Sequence, residues 1–177
     1  MFTAISVQPA LPSDVDVLLL LSRKTFYDAF EHLNDPEDFE AYTSAAFNRE
    51  KLLSEIENPD SAFYFAMLNN EPVGYIKLNY RGAQTEFRDA DAVEVERIYV
   101  LATHQGKKIG NRLLDFAIHK AVEQKLRYIW LGVWEHNHNA MRFYERNGFK
   151  TFSSHYFMVG NDRQTDILVR LELKAEG

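Results

Sequence analysis

Between Val95 and Phe149 the chain carries a strand, a short basic glycine loop, an amphipathic helix, a second strand and a helix bearing Tyr144, in direct succession. Strand and helix alternating at this spacing require a sheet covered by helices, so the fold class is α/β. The loop is Gln105-Gly106-Lys107-Lys108-Ile109-Gly110, and from Ile109 the apolar residues Leu113, Leu114, Ala117, Ile118, Ala121 and Val122 recur at helical spacing. The helix therefore starts at the loop. A helix start presents unpaired N–H groups and the positive end of the dipole, and Lys107, Lys108 and Arg112 add positive charge beside it. The junction is predicted to hold an anionic diphosphate.

With 177 residues, 46% of them hydrophobic, the chain can bury one substantial core and is short for two, so residues 1–177 are expected to form a single domain. There is no cysteine, which excludes disulfides, thiol catalysis and thiolate metal sites and fits a cytoplasmic protein. The apolar run Val17 to Leu21 is short and preceded by Asp14 and Asp16, so it reads as a buried helix and not as a leader or membrane span. A net charge of −6 argues against nucleic acid as a principal ligand and suits a cationic small molecule.

No repeat, low-complexity tract or linker interrupts the chain. Ile5 to Gln8 reads as a short strand, and Pro12-Ser13-Asp14 caps a helix reaching about Phe30. Helices follow at Glu37 to Ala46 and Arg49 to Glu57. Phe63 to Leu68 and Val73 to Tyr80 are antiparallel strands around Asn69-Asn70-Glu71-Pro72, and the acidic segment Gln84 to Asp91 is a loop. Val93 to Leu101 and Tyr128 to Trp134 are the strands around the glycine loop, with Gly132 marking a bulge or a close backbone approach. Asn139 to Arg146 is a short helix capped by Gly148, and Lys150 to Met158 and Gln164 to Leu173 form a last strand pair.

The loop lacks the paired glycines and Lys-Ser/Thr of a P-loop and the three glycines of a dinucleotide fingerprint. It resembles instead the acetyl-CoA loop of the Gcn5-related N-acetyltransferases (GNAT), written Gln/Arg-x-x-Gly-x-Gly/Ala, with Gln105 and Gly110 at its outer positions and Lys108 where the middle glycine usually stands. The pattern Asn137-x-x-Ala140-x-x-x-Tyr144-x-x-x-Gly148-Phe149 strengthens the resemblance. Glu96-Arg97-Ile98-Tyr99-Val100, Trp130 to Glu135, Ser44 to Asn48 and Gly160-x-Asp162-x-Gln164-Thr165-Asp166 look like bacterial spermidine/spermine N-acetyltransferases of the PaiA type, over about Thr25 to Leu171. The resemblance implies a GNAT fold: a mixed, mostly antiparallel central sheet flanked by helices, with acetyl-CoA at a strand-loop-helix junction. It also implies a small amine as acceptor.

Acetylating an amine near pH 7 requires removing a proton from an ammonium of pKa about 10.4, which costs roughly 4 to 5 kcal/mol. Carboxylates are the natural bases. Strand alternation places Glu94 and Glu96 on one face together with Ile98 and Val100, so at least one of the two glutamates is a candidate base or substrate carboxylate; a solvated edge or a salt bridge to Arg97 or Arg112 is the alternative. Tyr144 shares a helical face with Ala140 and Phe143, and the resemblance makes it the general acid. A phenol of pKa about 10 gains little by protonating a thiolate of about 8.5, so its contribution is expected to be modest.

The pantetheine arm is expected to lie along Ile98, Tyr99 and Val100 like an added strand. The resemblance places the rest of the cofactor against Gln105, Gly106, Lys107, Lys108, Ile109, Gly110, Asn111, Asn137, Phe143, Tyr144 and Arg146. Asn137 is alternatively a helix cap. The histidines show no metal-ligand spacing, and no metal is expected. Trp130 and Trp134 read as core, and Glu31, Asp35, Glu37, Asp38 and Glu40 read as a solvated face or the wall of a polycation channel. The exposed aromatic strands are compatible with a homodimer. Two other readings stay open: a GNAT enzyme acting on a protein N-terminus, an aminoglycoside or an amino acid, and a CoA-binding regulatory module without turnover.

Overall fold

A computed structural model describes residues 4–174. Among the described residues, seven strands form one sheet in the order β1-β2-β3-β4-β5-β7-β6. They are β1 (Ser6–Pro9), β2 (Ser61–Leu68), β3 (Glu71–Tyr80), β4 (Ala92–Val100), β5 (Tyr128–Trp134), β6 (Lys150–Val159) and β7 (Asp162–Glu172). Every neighbouring pair is antiparallel except β4 and β5. This is the mixed, mostly antiparallel sheet expected from the sequence.

The helices are α1 (Val15–Phe30), α2 (Pro36–Ala46), α3 (Arg49–Glu57), α4 (Ile109–Glu123) and α5 (His138–Arg146). Local chemistry sets their starts. Asp35 accepts hydrogen bonds from the N–H groups of Glu37 and Asp38 before Pro36 opens α2, and Asn48 caps α3 through Lys51 N–H. Asn69 and Asn70, with φ of 52° and 63°, make the two-residue turn between β2 and β3, where asparagine tolerates the left-handed region. Gly132 sits in regular register opposite Leu168, so it is a close approach and not a bulge: a Cβ there would lie 3.1 Å from Asp166 Oδ2.

The sheet separates two apolar layers. On one face, Leu113, Leu114 and Ala117 of α4 pack on Ile76, Leu78, Val93, Val95, Ile129 and Leu131, with Tyr144 and Phe149 closing the layer. Each fully buried leucine here contributes about 1.5–3 kcal/mol. On the other face, Leu18 and Leu21 of α1 and Leu52 of α3 pack on Phe63, Phe65 and Tyr75.

Strand β4 departs from the expected alternation. Lys77 pairs with Arg97 while Leu78 pairs with Val95, so Glu96 is the extra residue of a β-bulge. Glu94 and Glu96 do face the same way, since both accept from Asn79 Nδ2 at 3.0 Å. Ile98 and Val100 do not join them. The bulge turns Arg97 and Tyr99 onto the glutamates' face, and Ile98 and Val100 pack into the α4 layer instead.

Candidate active site

Strands β4 and β5 pair only over Ala92–Glu94 and Tyr128–Trp130, and then diverge. The sheet is split there. A cleft of about 360 Å³ fills the gap, lined by Glu94 to Tyr99 on one side and Leu131 to Trp134 on the other. It passes between the two layers: Tyr144, Ala140 and Asn137 border it from the α5 side, and Phe26, Phe30 and Tyr42 border it from the α1–α2 side.

On the α4 side the site is made from backbone. Gly106 has φ of 79°, and Lys108, the residue before α4, stands in the left-handed region at φ 62° and ψ 22°. Lysine pays about 1 kcal/mol for that conformation relative to glycine. Lys108 gives α4 no side-chain cap, so the first N–H groups of the helix point out of its N-terminus without a protein acceptor among the described residues. Gly110 is open: a Cβ there would meet only Phe143 Cζ, at 3.9 Å. Lys107 and Lys108 are exposed beside it, and Gln105 Nε2 reaches Val100 O at 3.4 Å. Past Glu94, β4 has no strand on its β5 side among the described residues, so residues 98–100 present an edge that an extended amide-bearing arm can pair with. These features fit an acyl-CoA: a helix N-terminus for the diphosphate and a free strand edge for the arm.

Tyr144 and Ala140 share the cleft-facing side of α5, as their spacing predicts. The Tyr144 phenol is buried, which raises its pKa well above the usual 10, and it has no hydrogen-bond partner among the described residues. Phe143 turns toward Gly110 and packs edge-on against Tyr144 at 5.1 Å. Asn137 borders the cleft and also caps α5, accepting from Ala140 N–H at 3.2 Å. Arg146 is exposed at the far end of α5 and does not line the cleft. Ile109 is a core residue of the α4 layer, and Asn111 is half-buried in the first turn.

The two glutamates differ in kind. Glu94 is buried, and it accepts from Asn79 Nδ2, Thr85 N–H and Thr85 Oγ1. Burial raises its pKa despite those donors. Glu96 is also raised by burial, but Arg97 and Lys77 outweigh this and hold its carboxyl below the usual range. Lys77, itself buried, contacts Glu96 and also Glu55 Oε2 of α3 at 3.3 Å, and Arg97 reaches the same Glu55 oxygen at 3.1 Å. Glu96 is thus an ionised carboxylate at the cleft wall, tied into a four-residue charge network.

Several cleft residues carried no assignment from sequence. Phe26, Phe30 and Tyr42 wall the cleft together with Tyr99 and with Trp134, which the sequence places in the core; Phe26 lies 5.6 Å from Tyr42 and Phe30 lies 6.0 Å from Trp134. Trp134 Nε1 is buried with no partner among the described residues, whereas Trp130 is fully buried and donates to Gln84 Oε1 at 2.8 Å. His155 and Asp166 also border the cleft, 3.2 Å apart. The one trace of them in the sequence is the Gln164-Thr165-Asp166 segment. The acidic residues of α2 serve the fold: Asp35 is a cap, Glu40 accepts from Tyr27 OH at 2.8 Å, and Asp38 accepts from Asn161 N–H at 2.8 Å.

Among the described residues, no helix is long and apolar enough to cross a membrane. A model of the acetyltransferase (GNAT) family matches residues 26–149. An N-acetyltransferase from the pepI 3′ region of Lactobacillus delbrueckii subsp. lactis is 40% identical over 171 residues, covering 97% of this chain and 99% of that protein. A spermidine N(1)-acetyltransferase of Thermoplasma acidophilum is 26% identical over 153 residues, covering 83% and 89%. The crystal structure of the PaiA N-acetyltransferase from Thermoplasma acidophilum in complex with coenzyme A superposes with a TM-score of 0.79 at 23% identity, covering 96% of this chain and 99% of that one.

Proposed function

As the chain belongs to the GNAT family and is an acetyl-CoA-dependent N-acetyltransferase, we propose that its acceptor is a primary amine of a polyamine such as spermidine or spermine. The observation that carries this reading is the wall of the cleft opposite Tyr144, where aromatic rings stand beside the carboxylates of Glu96 and Asp166. Aromatic faces and carboxylates together attract organic ammonium groups, at about 0.5–2 kcal/mol for each ring contact. The similarity to a spermidine acetyltransferase points the same way. The acetylating unit is taken as one domain over residues 1–177.

Acetyl-CoA, when bound, supplies a thioester carbonyl whose C–S bond breaks as the amine nitrogen forms the new C–N bond. The chain's residues do the rest. The α4 N-terminus, with Gly106, Lys107, Lys108, Gly110 and Asn111, holds the diphosphate. Strand residues Ile98, Tyr99 and Val100 align the arm through their backbone. Glu96 takes the ammonium proton through water: its lowered pKa makes it a weak direct base, and its negative charge draws the amine in. Glu94, with its donors already in place, fixes the loop at Thr85 and polarises Asn79. Tyr144 donates a hydrogen bond to the departing sulfur. Its elevated pKa makes full proton transfer unfavourable and the effect modest.

The test is release of free thiol from acetyl-CoA across spermidine, spermine, simple monoamines, aminoglycosides and N-terminal peptides, with Tyr144→Phe alongside. Polyamine-selective release is expected, with kcat reduced about tenfold in Tyr144→Phe and both KM values little changed. Release with peptides alone selects the protein N-terminus as acceptor. Heat stabilisation by acetyl-CoA without release on any acceptor selects the regulatory module.

A further inference from the structure

Asp166 and His155 lie on neighbouring strands β7 and β6, in direct register. Both border the cleft. His155 is held at both ring nitrogens: Nδ1 is 2.8 Å from Glu86 Oε2 of the loop after β3, and Nε2 is 3.2 Å from Asp166 Oδ2. Two carboxylates on one imidazole favour its doubly protonated form, because each nitrogen then donates. Asp166 in turn is placed by the absence of a side chain at Gly132, over which its carboxylate packs. Its negative charge is thus exposed to the cleft and answered by one neighbour that titrates.

We propose that Asp166 is the subsite for a second positive charge on the acceptor, and that the His155 imidazolium occupies that subsite until a diamine or longer polyamine displaces it. The proposal rests on the reading of the cleft as an amine site and names what that site selects: an acceptor with two charges over an acceptor with one. On that reading the reacting amine lies beside Glu96 and Tyr144, and Asp166 lines the same cavity from β7, across β5 from Glu96's strand.

The charges around the pair fit this division. Burial raises the Asp166 carboxyl, with His155 opposing the rise and Glu86 adding to it. Asp166 therefore remains anionic most easily with a cation beside it. Burial lowers His155, but hydrogen bonds to Glu86 and Asp166 outweigh this and raise it above its ordinary value. Tyr42 of α2 is raised chiefly by burial and feels Arg97, Glu96 and Asp166, so α2 brings no competing cation to the subsite. Arg97, the arginine that lines the cleft, is committed to Glu55 and Glu96.

The experiment measures kcat/KM for spermidine and for n-butylamine between pH 6 and 8, and takes their ratio. The monoamine cancels the deprotonation common to both reacting amines. In the parent the ratio should rise toward the upper end of this range, because Glu86 and Asp166 hold the His155 proton beyond the ordinary imidazole range and its release frees Asp166. Asp166→Asn, shown folded by its melting curve, should lower the ratio about tenfold, the scale of one partly buried charge contact. His155→Gln should raise the ratio at pH 6 and flatten its pH dependence, and Glu86→Gln should move the rise to lower pH. An unchanged ratio in folded Asp166→Asn, or a His155→Gln variant that loses both activities equally, overturns the proposal while leaving amine acetylation standing. Turnover of neither amine by the parent overturns the amine reading, and this proposal with it.

Discussion

The two sides of the split sheet are built from different materials. On the α4 side, the parts that fit the cofactor are backbone groups: the open N-terminus of α4, the positive φ of Gly106 and Lys108, and the unpaired edge of β4. On the α1–α2 side they are side chains from many separate segments, among them Phe26, Tyr42, Glu96, Trp134, His155 and Asp166. A backbone site is fixed by local conformation and tolerates many side chains. A side-chain site is fixed by tertiary packing, and each residue leans on its neighbours. The first arrangement suits a common cofactor, whereas the second can be retuned for a new acceptor without disturbing the first.

This contrast makes opposite demands on substitutions. Gly110→Asp should leave the fold intact, because the added Cβ meets only Phe143 Cζ at 3.9 Å and an acidic residue in a helix's first turn is favourable. It places a carboxylate against the expected diphosphate, and like charges in contact cost several kcal/mol, so the acetyl-CoA KM should rise about a hundredfold. The amine KM and the melting temperature should stay near the parent's. A large loss of stability would show that the α4 side also depends on packing, and the comparison would fail.

Glu96→Gln should behave in the reverse way. Removing its charge leaves Lys77 and Arg97 sharing Glu55 in a mostly buried network, and a hydrogen bond to a charged group is worth about 1.5–3 kcal/mol. A loss of about 2 kcal/mol is expected, or roughly 4–8 °C in melting temperature for a chain of this size. Acetyl-CoA affinity should change little. The activity of this variant is therefore interpretable only beside its melting curve. A stable Glu96→Gln protein with lost turnover would isolate a catalytic role free of any structural one.

The same division explains what the sequence makes legible. The strand-loop-helix order, the Pro12-Ser13-Asp14 start of α1 and the Asn69-Asn70 turn are short-range chemistry, and the observed elements begin within about two residues of where those signals place them. Tyr144 and Asn137 are singled out through the family resemblance, which the pattern from Asn137 to Phe149 carries. No such pattern marks the bulge at Glu96, because Glu94, Glu96, Ile98 and Val100 alternate as if the strand were regular. Its only trace is the adjacent pair Glu96-Arg97, two charges in succession on a strand that must bury one face. His155 and Asp166 were less accessible still. They meet through strand register, and Glu86 joins them from a loop some seventy residues away, a proximity that no local pattern encodes.

Lys108→Gly tests the backbone side at its finest grain, where two small effects oppose. Glycine removes the left-handed penalty of about 1 kcal/mol, while its greater freedom in the unfolded chain returns part of that gain. The net expectation is a rise in melting temperature of no more than about 2–4 °C. The lost ammonium, exposed beside the α4 N-terminus, is worth at most about 1 kcal/mol toward a phosphate, so the acetyl-CoA KM should rise by about fivefold or less. A stabilised variant with an unchanged KM would make Lys108 a strained bystander. A weakened KM without stabilisation would mean that the loop reaches its left-handed turn only when an anion is present, so that this half of the site is completed by its ligand rather than by the chain.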